Sequence, residues 1–84
     1  MQSVMMQLDT INDVKKFVEI VSKCDFDVDL ISGRYAVDAK SIMGIFSLDL
    51  ASPIKAQIYC DDCTEFLNNI QQFIVEGPST DDKQ

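Results

Sequence analysis

Cys60 and Cys63 enclose two aspartates in the stretch "CDDC", and C-x-x-C is the spacing of dithiol redox motifs. Asp61 and Asp62 oppose that chemistry, because negative charge beside a thiol disfavours the nucleophilic thiolate. The pair therefore reads as a strand-end thiol followed by a first-turn thiol. Cys24 brings the cysteines to three, an odd number with no secretory signal ahead of them, so reduced thiols are expected rather than a disulfide framework. A tetrahedral zinc site would need a fourth ligand, and with no histidine in the chain it would have to borrow an aspartate, so no metal site is expected. Asp25, Asp27 and Asp29 alternate at period two and spread over about 13 Å of strand, too far to close around one cation. No nucleophile–base pair and no glycine-rich phosphate loop is visible, so the chain is read as a non-enzyme needing no cofactor. One hydroxyl remains to be explained: Ser41, directly before Ile42, Met43, Ile45 and Phe46. It can be a helix cap, an address read by a partner, or a phosphate acceptor.

The composition limits the partners. Fourteen acidic and seven basic residues give a net charge of −7 over 84 residues, which repels nucleic-acid backbones and anionic membrane surfaces. The densest basic spot is Lys15–Lys16. No apolar run approaches the roughly 20 residues of a membrane span, and "MQSVMMQL" lacks the features of a signal peptide. A cytoplasmic protein that works with other proteins is expected, built as one domain around one core.

The elements that must position these residues follow from periodicity. Val4, Met6 and Leu8 alternate as a first strand. From Thr10 the period changes: Ile11, Val14, Phe17, Val18, Val21 and Cys24 form a helical stripe, with Thr10 and Asp13 as a capping pair and Asp9 as a competing cap. "DFDVDLI" and "YAVDA" form a hairpin around Ser32–Gly33–Arg34, with Phe26, Val28, Leu30, Tyr35, Val37 and Ala39 on its apolar face. Ser41 caps a short helix through about Leu48. Ile54, Ala56, Ile58 and Cys60 mark a fourth strand. Phe66, Leu67, Ile70, Phe73 and Ile74 predict a last helix stopped by Gly77–Pro78, leaving residues 77–84 as a disordered tail after a domain of residues 1–76. Strands with one apolar face each require helices over one side of the sheet. The expectation is an α+β sandwich in the order βαββαβα, with a four-stranded sheet.

With that order in hand, the stretch "DAKSIMGIFSLDL" becomes specific. It resembles the segment around the regulatory serine of HPr, the histidine-containing phosphocarrier of the bacterial sugar phosphotransferase system. Lys40, Ser41, Ile42, Met43 and Gly44, with Ser47 and Leu48, stand as in that family, and "SKCDFDVDL" looks like its loop and second strand. The resemblance spans residues 1 to about 76 and implies the HPr open-faced β-sandwich, four antiparallel strands with three helices on one face. It also implies Ser41 as a regulatory phosphorylation site and Lys40, Ile42, Met43 and Phe46 as a partner-binding patch around it.

The departures from the family pattern imply a changed function. Alignment puts Thr10 at the position of the phosphocarrier histidine, Asn12 at that of the family's arginine, and Asp13 where proline is usual. Phosphoryl relay needs an acceptor whose phosphorylated form is reactive near neutral pH, as imidazole is; a threonine ester is too stable. Asp9 and Asp13 add negative charge where an incoming phosphate must be attracted. The chain is thus similar to the catabolite-repression HPr paralogue, which lacks the histidine and keeps the serine. Its implied partners are HPr kinase/phosphorylase, a transcriptional regulator or sugar-transport components, and Asn12 departs from the arginine that meets the regulator. Two other functions compete: a constitutive binding module in which Ser41 is only a cap, and a minor thiol-redox protein acting through Cys60 and Cys63.

Overall fold

The computed structural model describes residues 1–80. Its elements are β1 (Gln2–Met6), α1 (Ile11–Ser22), β2 (Val28–Ser32), β3 (Tyr35–Asp38), α2 (Ile42–Phe46), β4 (Ile54–Ile58), α3 (Thr64–Asn69), a 3-10 turn (Gln71–Phe73) and β5 (Ile74–Thr80). The strands form one antiparallel sheet in the order β3-β2-β4-β1-β5. Alternation determines which side chains meet: Val4 pairs with Ala56 and Ala56 with Leu30, Met6 with Ile54, and Ile58 with Val28. All seven are buried, in the same cluster as Val14, Phe17 and Val21 of α1, Ile45 of α2 and Phe66 of α3. The three helices therefore cover one sheet face. Met5, Asp29, Lys55 and Gln57, the alternate positions, are half-buried on the open face.

The hairpin turns at Gly33, whose φ of 59° is left-handed and suits a residue without Cβ. Tyr35, expected on the apolar face, is 72% exposed. It starts the edge strand opposite Ser32, where the hairpin turns back. Ile11 also departs from its expected stripe and is exposed at the first position of α1. Helix α2 ends at Phe46, short of Leu48, with Ser47 as its C-cap.

The largest difference concerns the C-terminal segment. The helix expected through Ile74 stops at Asn69, and the chain enters β5, which pairs with β1. α3 is short: its start is held by the Asp62 carboxylate, which accepts from the Thr64 N–H and hydroxyl, and its last turn has no basic residue to favour continuation past Asn69. The β-branched Ile74 and Val75 suit a strand, and β1 offers a second edge of backbone donors and acceptors. The β1–β5 register is irregular: Met6 faces Ile74 and Met5 faces Glu76, so Val75 is an extra residue and is 57% exposed. Gly77 and Pro78 lie within this edge strand, the kind of strand to which proline is confined in sheets. The sheet accordingly has five strands where four were expected, and the segment read as a tail from residue 77 is strand as far as Thr80. Residues 81–84 of that expected tail lie outside the described residues.

Candidate functional site

Two helix starts carry the residues singled out by the sequence. At α1, Thr10 is the N-cap: its backbone is extended, and its Oγ1 accepts from the Asp13 N–H at 3.1 Å. Asp13 Oδ2 in turn accepts from the Asp9 N–H at 3.1 Å. This is a displaced capping box, since the returning carboxylate takes the amide one residue before the cap. Asp9 is not the cap. The result is a helix start occupied by its own side chains, with two carboxylates beside it. Asn12 is exposed on the first turn.

At α2, Ser41 is the N-cap, and its Oγ accepts from the Gly44 N–H at 3.2 Å. The loop leading to it is held by backbone bonds from Ala39 N to Val28 O and from Ser41 N to Asp38 O, both 2.9 Å, and by Lys40 N donating to Asp38 Oδ1 at 2.9 Å. Gly44 permits the close approach that seats the helix: a Cβ there would stand 3.1 Å from Ser41 Oγ and 3.3 Å from Val37 Cβ. Ile45 points into the core, which turns the rest of the helix outward. Met43 is 77% exposed and Phe46 42% exposed, and Ile42 is half-buried. Ser41 and Lys40 are exposed beside them.

The two helix starts are joined by a shallow groove of about 540 Å³ lined by Asn12, Lys15, Lys16, Val18, Glu19 and Ile42. Asn12 and Ile42, 30 positions apart in the chain, thus share one surface. Among the described residues neither Lys15 nor Lys16 forms an ion pair. Lysine pairs on helices are common, and only the packing of α1 against α2 makes this one part of a surface with Ile42.

The thiols sit elsewhere. Cys63 is the buried N-cap residue of α3, and Cys60 Sγ donates to the Asp62 carbonyl at 3.3 Å. All three cysteines are free. Burial pushes the Cys63 thiol above the ordinary range, and the neighbouring Cys60 adds to this. Burial also raises Cys24, with Lys40 opposing and Asp25 reinforcing the shift. Among the described residues no cluster of acidic or thiol side chains is arranged to hold a metal ion, and no helix is long and apolar enough to cross a membrane.

The family model for the "PTS HPr component phosphorylation site" matches residues 12–76. The chain belongs to the HPr family. The match to this family begins two residues after Thr10. Solved HPr structures share its fold: that of HPr-C-His from Thermoanaerobacter tengcongensis has a TM-score of 0.68 at 24% identity, covering 86% of this chain and 88% of the other. The phosphocarrier protein HPr from Bacillus anthracis has a TM-score of 0.65 at 26% identity, covering 88% and 95%. Crh, the Bacillus subtilis catabolite repression protein, has a TM-score of 0.60 at 23% identity, covering 84% and 88%, and forms a swapped dimer in its crystal. No curated protein sequence matches the chain. HPr proteins are phosphocarriers of the phosphotransferase system rather than enzymes, and they work with other proteins of that system. This HPr-family chain contains no histidine.

Proposed function

We propose that this HPr-family chain is a cytoplasmic, non-catalytic regulator or adaptor of the phosphotransferase system or of carbon catabolite control. It does not relay phosphate and is switched by phosphorylation of Ser41. The observation that carries this reading is the contrast between the two helix starts. Both starts are capped by an exposed hydroxyl, but at α1 the threonine sits between the carboxylates of Asp9 and Asp13, whereas at α2 the serine borders Lys40 and the exposed Met43 and Phe46.

A phosphate on Ser41 would add about two negative charges at a helix N-terminus, next to Lys40, where the first-turn amides favour an anion. Modification is therefore compatible with the fold, and it changes the charge of the patch formed by Lys40, Ile42, Met43 and Phe46. Lys15 and Lys16 extend that patch with positive charge toward Asn12, which suits an acidic protein partner. HPr kinase/phosphorylase is the enzyme class suited to Ser41; a transcriptional regulator or a sugar-transport component is the class of protein that reads the result.

The test compares binding of the unmodified protein, Ser41→Asp and Met43→Glu to candidate regulators and transport components by calorimetry. The reading expects Ser41→Asp to change affinity for at least one partner by tenfold or more, and Met43→Glu to weaken the same complex. Binding that is lost on Met43→Glu but indifferent to Ser41→Asp would instead mark a constitutive module in which the serine is only a cap.

A further inference from the structure

The three thiols come from distant parts of the chain and meet at one end of the molecule. Cys24 follows α1, its N–H bonded to the Val21 carbonyl at 2.9 Å. Cys60 follows β4. The β2–β4 ladder pairs Val28 with Ile58, and Tyr59 N donates to Asp27 O at 3.0 Å, which continues the register one step further. The next residue, Cys60, therefore lies opposite Phe26, two residues from Cys24. Phe26 packs edge-on against Phe66 of α3, centroids 5.4 Å apart, which draws this loop over the end of β4. Cys24 and Cys63 line one groove of about 630 Å³ with Phe26 and Phe66. Cys60 acts electrostatically on both of the other thiols.

Accessibility separates the possible pairs. Cys63 is 2% exposed, whereas Cys24 and Cys60 are both half-buried, so a small oxidant reaches these two. Their present bonds are weak thiol–carbonyl contacts, to Ile20 O at 3.5 Å and Asp62 O at 3.3 Å, which cost little to break. We propose that Cys24 and Cys60 form a reversible disulfide by exchange with a low-molecular-weight disulfide such as oxidised glutathione, clipping the end of α1 to the end of β4. In the first step one protein thiolate attacks a sulfur of glutathione disulfide, forming a mixed disulfide and expelling one glutathione thiolate. In the second, the other protein thiol gives up its proton and its sulfur attacks the protein sulfur of the mixed disulfide, expelling the second glutathione thiolate. Two protein thiols are oxidised, one glutathione disulfide is reduced to two glutathiones, and the two protons released are taken up by the two expelled thiolates. The pair differs from the C-x-x-C pair because it spans the fold, and only the folded register brings it together.

The experiment equilibrates the full natural chain in a glutathione redox buffer, quenches with acid and maleimide, and maps tryptic peptides by mass. Cleavage after Lys23, Arg34 and Lys55 separates Cys24 from Cys60 and Cys63, which share the peptide beginning at Ala56. The expected product has lost two hydrogens, carries one maleimide on Cys63, and joins the Cys24 and Cys60 peptides through a bond that dithiothreitol cleaves. Cys63→Ser keeps that bond, and Cys60→Ser abolishes it. A Cys60–Cys63 bond within one peptide, a Cys24–Cys63 bond, glutathione adducts alone, or three alkylated thiols would each overturn the proposal.

Discussion

Ser41 permits a quantitative forecast because its structural work is confined to one hydrogen bond. Its Oγ accepts from the Gly44 N–H at 3.2 Å, and the side chain is otherwise exposed. Ser41→Ala removes the acceptor and leaves a first-turn amide to water, which costs about 1 kcal/mol for a cap of this kind. Unfolding entropy is roughly 2.1 cal/mol/K per residue, which for 84 residues comes to about 0.18 kcal/mol/K. The loss should therefore lower Tm by about 6 °C. Ser41→Gly should fall a few tenths of a kcal/mol below the natural protein. Ser41→Asp should match it, since a carboxylate caps as well and its charge suits the helix start, with a small benefit because α2 is only five residues long. Thermal melts followed by far-UV circular dichroism, checked by urea unfolding, give the order Asp ≈ Ser > Gly > Ala. An Asp variant that melts several degrees below Ala would refute the reasoning, because phosphate could not then be tolerated at this position.

Further outcomes follow from packing and titration. Gly44→Ala gains about 1 kcal/mol of helix propensity, but its Cβ meets Val37 Cβ at 3.3 Å and Ser41 Oγ at 3.1 Å. A net loss of about 1 kcal/mol in urea unfolding is expected from this overpacking, and net stabilisation would show that α2 can lift from β3 freely. Phe17 is fully buried, edge-on to Phe73 with centroids 6.3 Å apart. Phe17→Ala should cost about 3–5 kcal/mol, a large share of the roughly 4–13 kcal/mol total stability of a chain this size, so its denaturation midpoint should drop by about a quarter or more. The raised thiols of Cys24 and Cys63 stay protonated in the folded state at pH values where unfolded thiols ionise. Their contribution is full below about pH 8.5 and is lost as pH rises through the folded values. Urea midpoints should therefore fall between neutral and alkaline pH, and fall less in Cys63→Ala; a midpoint that rises over that range would contradict the sign.

Local patterns were readable where local chemistry decides them. The alternation of Ile54, Ala56 and Ile58, the stripe of Val14, Phe17 and Val21, the turn at Gly33 and the caps Thr10 and Ser41 all depend on neighbours within four residues, and the structure has each of them. β5 was not readable because Phe66, Ile70, Phe73 and Ile74 fit the helical period equally well, and the open second edge of β1 is a fact of topology. Tyr35 shares the parity of Val37 and Ala39 but starts an edge strand, and parity does not tell how far the covering helices reach. The surface around Ser41 was legible only in part: Ile42, Met43 and Phe46 follow the serine in sequence, whereas Lys15, Lys16 and Asn12 join them through the α1–α2 packing. Cys60 likewise comes opposite Phe26, two residues from Cys24, through strand register and not through spacing.

If Ser41 is the switch, phosphate enters this HPr-family chain there and not at the start of α1. Mass spectrometry of the purified protein tests it directly, after incubation with ATP and an HPr kinase/phosphorylase in one tube and with phosphoenolpyruvate and enzyme I in another. One acid-stable phosphate on Ser41 is expected in the first tube and no modification in the second. A phosphate transferred from enzyme I to Thr10 or its neighbours, or a Ser41 that stays bare with the kinase while HPr itself is modified, would contradict it.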